Sequence, residues 1–377
     1  MTSATMEIRN ELVEVCRFFG IKGEPVGFEA MRDGHINTTY LVNFNEDGKL
    51  KKYLVQGINT HVFRNPDELM QNIVGVTTFL REKIKENGGN PDRETLSFIP
   101  ARNGKYYHYR QDKCWRVYHY IDDSYTINII KNPGVFENAG RSFGLFQKNL
   151  SGYPMENLFE IIKDFHNTPK RLEALKNSIE TDVRGRAAEV QNEIDFVFAR
   201  HNDTKKVLKL YRDGLIPLRV THNDTKLNNI LFDNETNESI CVIDLDTIMP
   251  GFSLYDFGDA IRFGGNTAAE DEKDLDKVKL SLPLFESFTR GFLSACATAL
   301  TKAEVDHLAF SAKLMTLECG IRFLTDYLDG DVYFKTAYSD HNLVRARNQF
   351  KLVAEMEKNM AEMNAVVQRI YKEAINA

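Results

Sequence analysis

The stretch Val220-Thr-His-Asn-Asp-Thr-Lys-Leu-Asn-Asn-Ile-Leu-Phe232 decides how this chain folds. Short apolar runs rich in β-branched and aromatic residues surround its polar centre and predict brief strands, at residues 217–220, 230–232 and 240–243. The polar segment 233–239, which carries two asparagines, predicts a hairpin turn. Pairing of the last two strands would return Asp244 to the neighbourhood of Asp224 and Asn229.

The three side chains joined by this hairpin match the needs of phosphoryl transfer from ATP. One carboxylate must accept or orient the proton of the attacking hydroxyl, and a second carboxylate with an amide oxygen must hold Mg²⁺ against the phosphates. The spacing His222-x-Asp224-x-x-x-x-Asn229 matches the kinase catalytic loop, so Asp224 is predicted as the base, and Asn229 and Asp244 as metal ligands. The alternative is a polar loop that caps strands. We interpret His222 as a structural hydrogen-bonding residue.

The wider block resembles one family of small-molecule kinases. The residues that carry the resemblance are His222-Asn-Asp-Thr-Lys-Leu-Asn-Asn229, Val242-Ile-Asp-Leu-Asp-Thr-Ile-Met-Pro-Gly251 and Tyr255-Asp-Phe-Gly-Asp-Ala-Ile-Arg262. They resemble the aminoglycoside phosphotransferase family, and within it the kinases of N-acetylhexosamine sugars, over residues 34 to about 338. The resemblance implies an α+β, bilobal protein-kinase-like fold. The N-lobe, an antiparallel sheet with a helix, would span residues 1–120, and the mainly helical C-lobe residues 121–377. The resemblance also gives Asp256 a scaffold role.

The first lobe carries the predicted nucleotide contacts. Residues 33–39 form a small polar turn beside two apolar runs, which is how a kinase lobe covers phosphates with backbone N–H groups and hydroxyls. The predicted contacts are Asn37, Thr38, Thr39 and Gln56 in this hairpin, and Tyr118 and Tyr120 in the strand that leads to the second lobe. The two tyrosines could equally serve sheet packing.

Gln56 departs from the pattern of the family. Kinases of this fold usually place a Lys or Arg at the end of this strand, where it pairs with the phosphates. A neutral amide cannot offset phosphate charge as a cation can. Either Gln56 only hydrogen-bonds the nucleotide, or another cation takes the place of the missing one.

The predicted acceptor-binding residues come from three parts of the chain, together with Asp224 itself. Asp246 lies two residues after the predicted metal-binding aspartate, and alternate residues of a strand face the same side, so it either joins the metal site or faces the acceptor. Arg322 and Asp326 share a helix face at i, i+4; the alternative is a surface ion pair of little energetic weight. His35 belongs to the polar turn of the first lobe.

Periodicity predicts the remaining elements. Residues 66–86 predict a helix that begins at Asn65 and Pro66, and strands are predicted at residues 96–99, 105–109 and 114–121. From residue 133 onward the pattern is mainly helical, with long amphipathic stretches at residues 275–300, 303–328 and 340–371. The last of these could pack on the C-lobe or mediate a homo-oligomer.

Composition excludes several classes of partner. The 48 basic and 54 acidic residues give a net charge of −6, which does not favour nucleic-acid or anionic-membrane binding. No stretch has the length and apolarity of a membrane span. The five cysteines are scattered without a CxxC pair, which is typical of reduced thiols and predicts a cytoplasmic protein.

The predicted activity follows from the catalytic block and the resemblance. With ATP and Mg²⁺ as cofactors, the protein would phosphorylate the anomeric hydroxyl of an N-acetylhexosamine, GlcNAc or GalNAc, to the sugar 1-phosphate. One alternative keeps the fold but changes the acceptor to an amino alcohol or an aminoglycoside. A second alternative is a nucleotide-binding pseudokinase, which the absence of a lysine at Gln56 favours and the presence of Asp224, Asn229 and Asp244 opposes.

Overall fold

The N-terminal part of the chain is built on one antiparallel sheet. The computed structural model describes residues 3–31, 36–128, 130 and 132–376. The strands of the sheet are β1 (Glu24–Met31), β2 (Thr38–Glu46), β3 (Lys49–Ile58), β4 (His108–Arg110) and β5 (Lys113–His119). They are hydrogen-bonded in the order β1-β2-β3-β5-β4. Residues 96–99, predicted as a strand, run beside β5 with a single bridge, between Phe98 and Tyr118.

The two faces of β5 contact different parts of the molecule. Trp115 and Val117 belong to the buried cluster that includes helix α1 (Ser3–Phe18). Cys114 and Tyr118 belong to a second cluster, which includes helix α2 (Pro66–Glu86). Because side chains alternate along a strand, the intervening Arg116 shares the second face.

Helix α2 has the bounds that the sequence predicts and is fastened to the rest of the molecule by a buried asparagine. The side chain of Asn65 caps its first turn by accepting from the N–H of Glu68. Asn72 donates to the carbonyls of Phe159 (2.8 Å) and Ile248 (2.8 Å) and accepts from the N–H of Phe159 (2.9 Å). These bonds fix α2 and the sheet against the C-terminal part of the chain. A single turn, α3 (Pro91–Glu94), follows.

Two small antiparallel sheets follow the larger sheet along the chain. The first has the order β6-β8-β9 and consists of β6 (Ser124–Tyr125), β8 (Ile230–Asp233) and β9 (Ser239–Val242). The second pairs β7 (Arg219–Thr221) with β10 (Met249–Gly251). The hairpin predicted from the sequence is β8–β9, and a 3₁₀ turn, Leu227–Asn229, precedes it.

The rest of the described chain is helical. Its helices are α4 (Pro133–Asn149), α5 (Thr168–Thr181), α6 (Gln191–Phe198), α7 (Lys206–Arg212), α8 (Ser253–Gly264), α9 (Leu282–Cys296), α10 (Lys302–Asp306), α11 (Leu308–Asp329), α12 (His341–Lys358) and α13 (Met360–Asn376). Helices α4 and α9 approach so closely that a Cβ atom on Gly140 would lie 2.3 Å from the carbonyl oxygen of Phe288, and one on Gly291 would lie 1.9 Å from that of Glu137. The fold is the protein-kinase-like arrangement that the sequence predicts.

The C-terminal stretch predicted as one helix is two, with Asn359 between them. Asn359 has φ −98° and ψ 5°, and its backbone N–H donates to the carbonyl of Glu355. Helix α13 then buries its apolar stripe in the main helical core, through Met363, Val366, Val367 and Ile370. The stripe that could have paired with a second copy is therefore covered by the same chain. None of the described helices has both the length and the apolarity to cross a membrane.

Candidate active site

The β8–β9 hairpin sets Asn229 beside Asp244. Ile230 pairs with Val242, and the N–H of Ile243 donates to the carbonyl of Asn229 (2.9 Å). Asp244 follows with φ 58° and ψ 57°, a left-handed conformation that is uncommon for residues other than glycine. Backbone strain of this kind tends to be kept where function needs it.

Asp224 lies within hydrogen-bonding distance of two residues of its own loop. The amide nitrogen of Asn229 donates to its carboxylate (3.2 Å) and to its backbone carbonyl (2.7 Å). The ammonium of Lys226 lies 2.8 Å from its other carboxylate oxygen. Burial lowers the pKa of Lys226, but Asp224 more than compensates, so the pKa lies above its usual value and the group stays charged. A proton acceptor and a cation thus stand side by side.

His222 and Asp256 lie beneath this loop. Asp256, in the first turn of α8, accepts from the backbone N–H groups of His222 (3.0 Å) and Asn223 (2.8 Å) and from the side chain of Gln147 (2.7 Å). Burial raises the pKa of Asp256. The Nε2 of His222 is 2.8 Å from the carbonyl of Ile243, which precedes Asp244. These bonds join the catalytic loop to the hairpin.

The donor set at the hairpin fits Mg²⁺. Burial, together with the charges of Asp246 and Asp224, raises the pKa of Asp244 to about 6, so a cation here would relieve real repulsion. The amide nitrogen of Asn229 is committed to Asp224, which leaves its oxygen for a ligand. Within the described ranges, no group of three His, Cys, Asp or Glu side chains is placed to hold a metal. One carboxylate and one amide oxygen suit Mg²⁺, which takes its remaining ligands from water and phosphates.

Asp246 is buried and paired with residues of the N-terminal sheet. Its carboxylate forms an ion pair with the guanidinium of Arg116 and accepts from the amide of Asn37. The oxygen of the Asn37 amide in turn accepts from the N–H of Asn59 (2.9 Å). The structure therefore places Asp246 between the two lobes, with its oxygens occupied by protein partners. Contact of Asp246 with an acceptor, which stays a prediction, would require it to give up one of these partners.

Gln56 also contacts protein groups. Its amide nitrogen donates to the hydroxyl of Thr39 (2.8 Å), and its oxygen accepts from the Nε (2.9 Å) and Nη2 (2.6 Å) of Arg116. Thr38 begins β2 and is exposed. The predicted nucleotide contacts Asn37, Thr39 and Gln56 are thus brought together around Arg116. His35 lies outside the described residues.

The two tyrosines predicted to hold the base differ in their surroundings. Tyr118 is buried, and its ring lies 4.9 Å from that of Phe98. The backbone N–H of Tyr120 donates to the carbonyl of Lys52 (3.1 Å), and that of His119 donates to Ser97 (3.0 Å). Since both N–H groups are already bonded, a nucleotide base at this point would contact backbone carbonyl groups or the residues that follow Tyr120.

Arg322 stands among aromatic rings. Its guanidinium lies 5.6 Å from the ring centroid of Phe165, 5.8 Å from that of Tyr333 and 5.4 Å from that of Phe334. We call these four residues the acceptor-side cluster, after the role proposed for them below. Tyr333 is 67% exposed, so the cluster opens to solvent.

The carboxylate of Asp326 is bonded to backbone groups of the loop that follows α11. Its carboxylate accepts from the N–H groups of Val332 (2.9 Å), Tyr333 (2.8 Å) and Phe334 (2.9 Å) and from the amide of Asn342 (2.8 Å). It is buried, and four donors occupy its oxygens. Asp326 thereby positions Tyr333 and Phe334, two aromatic residues of the acceptor-side cluster, and its direct contact with the acceptor stays a prediction.

A buried pair links the acceptor-side cluster to the catalytic loop. His166 places Nε2 at 3.1 Å from the carbonyl of Asn223, next to the catalytic aspartate, and Nδ1 at 2.7 Å from Glu318. Burial by itself raises the pKa of Glu318, but His166 and the hydroxyl of Thr168 hold it below its usual value. Glu318 precedes Arg322 by one helical turn of α11, so this pair joins the helix that carries Arg322 to the loop that carries Asp224.

Sequence reasoning missed Arg116, Lys226 and His166. Lys226 could have been found, because it lies two residues from Asp224 in the loop already identified. Arg116 carries no local signal, since its place depends on which residue of β3 it faces across the sheet. His166 carries no local signal, and only its tertiary contacts with Glu318 and Asn223 distinguish it.

Known proteins share this fold. The model of the APH family, described as a phosphotransferase enzyme family, matches residues 28–279. The fold is similar to a microcompartment-associated aminopropanol kinase, with 15% identity, a TM-score of 0.56, and 94% of this chain and 98% of that chain covered.

Two further solved structures have a similar fold. Spectinomycin phosphotransferase in complex with ADP and spectinomycin shows 14% identity and a TM-score of 0.56, over 94% of this chain and 98% of that one. An ethanolamine kinase of Plasmodium vivax shows 17% identity and a TM-score of 0.55, over 85% and 80%. At these identities the likeness concerns the fold alone.

Proposed function

Because this chain belongs to the APH phosphotransferase enzyme family, we propose that it is an N-acetylhexosamine 1-kinase. The proposed reaction transfers the terminal phosphoryl group of ATP to the anomeric hydroxyl of N-acetylglucosamine or N-acetylgalactosamine. In this proposal the nucleotide lies between an N-lobe, residues 1–120, and a C-lobe, residues 121–377. The five cysteines are free, which fits the reducing cytoplasm that we propose as its location.

The charge of the acceptor side carries the choice of acceptor. Arg322 stands at the centre of the acceptor-side cluster, and Lys226 stands beside Asp224. The nearby carboxylates already have partners: Glu318 is buried against His166 and Thr168, and Asp326 accepts from backbone N–H groups. A cationic acceptor such as an amino alcohol wants free carboxylates. A neutral sugar with hydroxyls and an acetamide suits an arginine beside aromatic rings.

The catalytic loop supplies the chemistry. Asp224 takes or orients the proton of the anomeric hydroxyl, which is more acidic than an ordinary alcohol. Lys226 lies where it can neutralise charge on the transferred group. Asn229 and Asp244 would hold Mg²⁺, which when bound offsets the charge of the nucleotide phosphates. His222 and Asp256 keep the loop and the hairpin in register.

An acceptor screen tests this proposal. The protein is incubated with ATP and Mg²⁺ and with N-acetylglucosamine, N-acetylgalactosamine, ethanolamine, choline or an aminoglycoside, and ³¹P NMR is recorded. We expect a signal of an anomeric phosphate with the N-acetyl sugars only. Preference for an amine would assign the protein to the amino-alcohol or aminoglycoside kinases, and absence of turnover with retained nucleotide binding would indicate a pseudokinase.

The arginine itself provides a sharper test. Arg322→Ala should raise KM for the N-acetyl sugar about 10-fold or more while leaving KM for ATP unchanged. Arg345→Ala, which removes an arginine near the same part of the molecule but outside the acceptor-side cluster, is the matched control. Equal effects of the two substitutions would contradict the assignment.

A further inference from the structure

Building on the proposed function, we propose that Arg116 of β5 binds the nucleotide phosphates in place of the missing strand cation at Gln56. The family places this cation on the strand equivalent to β3. Here the cation comes from the neighbouring strand, and Gln56 holds it. Nothing in the local sequence around Arg116 marks it for this role.

The register of the sheet makes the exchange geometrically simple. Gln56 and Arg116 are directly paired residues of the antiparallel strands β3 and β5. Side chains of directly paired residues lie on the same face, with Cβ atoms about 5 Å apart. A guanidinium that starts one strand away can therefore reach the space above Gln56. It does so with Nε and Nη2 on the Gln56 oxygen.

The charge of Arg116 is buried and paired. Arg116 is 3% exposed, and burying a cation is costly unless it is paired. In kinases, the strand lysine is paired with a glutamate of the adjacent helix. Here that helix, α2, presents the sulfur of Met70 at 3.8 Å from Nη1. The carboxylate that Arg116 meets is Asp246, two residues after the predicted metal ligand Asp244.

The guanidinium retains the capacity to bind a phosphate. It has five N–H groups, of which three donate to Gln56 and Asp246 and a fourth contacts Met70. The fifth N–H group, on Nη2, is the one left to donate to a phosphate oxygen. Thr39 and Asn37, which contact Gln56 and Asp246 in turn, belong to the hairpin that would cover the phosphates. Arg116, the residue Gln56 that holds it, and the hairpin residues Thr39 and Asn37 thus form one hydrogen-bonded set.

Nucleotide binding without any acceptor tests the assignment. Calorimetry gives the Kd of the full-length protein for MgADP and for adenosine. Arg116→Gln should weaken MgADP about 10- to 100-fold, because a charge-assisted hydrogen bond to phosphate is lost, and should leave adenosine within about threefold. Lys113→Gln, which removes a cation from the same strand where it faces Glu11, should leave both values unchanged.

Two double variants separate phosphate binding from a purely structural ion pair. Gln56→Lys with Arg116→Gln returns the cation to the strand the family uses, and should recover most of the MgADP affinity. Arg116→Gln with Asp246→Asn removes both charges of the pair, and should not recover it. Recovery in this second variant, or equal losses of MgADP and adenosine affinity in Arg116→Gln, would overturn the proposal.

The controls keep the outcome interpretable. If Arg116→Gln fails to fold, the two double variants decide the matter. One restores a cation, and the other leaves no buried carboxylate unopposed. The acceptor does not enter these measurements, so failure of the sugar assay leaves them valid. A wild-type protein that binds adenosine but not MgADP would overturn the assignment of Arg116 directly.

Discussion

Asp224 and Asp244 sit in one loop-and-hairpin unit but in different environments. Asp224 is half-exposed and meets Lys226 and Asn229. Asp244 has an exposed side chain, and desolvation of its carboxylate together with the neighbouring carboxylates Asp246 and Asp224 raises its pKa to about 6. The difference suits their proposed tasks. Asp224 is held by a cation and an amide, whereas a bound metal cation would relieve the repulsion among the carboxylates around Asp244.

At Asp224, loss of the carboxylate should stop the chemistry without disturbing nucleotide binding. Asp224→Asn keeps the size of the side chain but cannot take a proton, so kcat should fall about 10²- to 10⁴-fold. The Kd for MgADP should stay within about threefold. Steady-state kinetics and calorimetry measure the two values, with Asp213→Asn, at a surface pair with Lys209, as the control. A nearly normal kcat would exclude Asp224 as the base.

At Asp244, the raised pKa predicts a pH effect on stability in the absence of metal. The native state binds the proton more tightly than the unfolded state, so stability is present at low pH and is lost as pH rises from about 4 to about 6. Asp244→Asn should therefore raise the urea midpoint of the protein in EDTA at pH 7.5, with little difference at pH 4. Urea unfolding at both pH values measures this. A destabilised variant at pH 7.5 would contradict the prediction.

Among the elements, those with local signals were predicted best. Helix α2 has its predicted bounds because Asn65 and Pro66 form a capped start that depends on neighbouring residues alone. The β8–β9 hairpin was likewise readable from short apolar runs around a polar turn. The predicted helix over residues 340–371 was wrong as one element, because the backbone turns at Asn359 and the two pieces pack on different neighbours. Periodicity cannot detect such a break when both pieces are amphipathic.

The site was predictable to the extent that its residues were close in sequence. Asp224, Asn229 and Asp244 share one motif and were identified together. Arg116 was not, because its meaning comes from pairing with Gln56 across the sheet. The partners of Asp326 were not predicted for a similar reason: they are backbone N–H groups of a loop that the sequence pattern does not describe.

The contact between α4 and α9 is the closest helix packing in the C-terminal core, and it predicts a sensitive position. A methyl group at Gly291 would lie 1.9 Å from the carbonyl of Glu137, which is backbone and cannot rotate away. Gly291→Ala should therefore lower the free energy of unfolding by about 1–3 kcal/mol or more. Gly27→Ala, where no atom lies within 4 Å of the new methyl group, is the control. Equal stabilities of the two variants by urea unfolding would contradict this packing.

For the whole molecule, the N-terminal and C-terminal parts share a buried apolar cluster, in which Leu69 and Tyr118 lie with Phe146 and Ile248, and polar pairs add to it. Asp246 is joined to Arg116 and Asn37, and Arg93 is joined to Asp233 (2.7 Å). The C-terminal helices complete the larger core without a further partner, since α13 packs on the same cluster as α9.

Removal of α13 should thus affect stability before it affects assembly. Deletion of residues 360–377 would expose the face of the core that Met363, Val366, Val367 and Ile370 cover. We expect the melting temperature to fall by about 10 °C or more. The oligomeric state should be the same as that of the full chain. Thermal unfolding and light scattering after size exclusion test this. A stable protein that changes from dimer to monomer would instead support the homo-oligomer predicted through this helix.

The anchoring of α2 by Asn72 has a consequence for control of the enzyme. Swinging this helix outward, as a switchable kinase does, would strand the buried amide and its partners at Phe159 and Ile248. Each unpaired buried polar group costs about 1–3 kcal/mol. The resting molecule is accordingly already assembled for turnover, and its output should follow the supply of its two substrates.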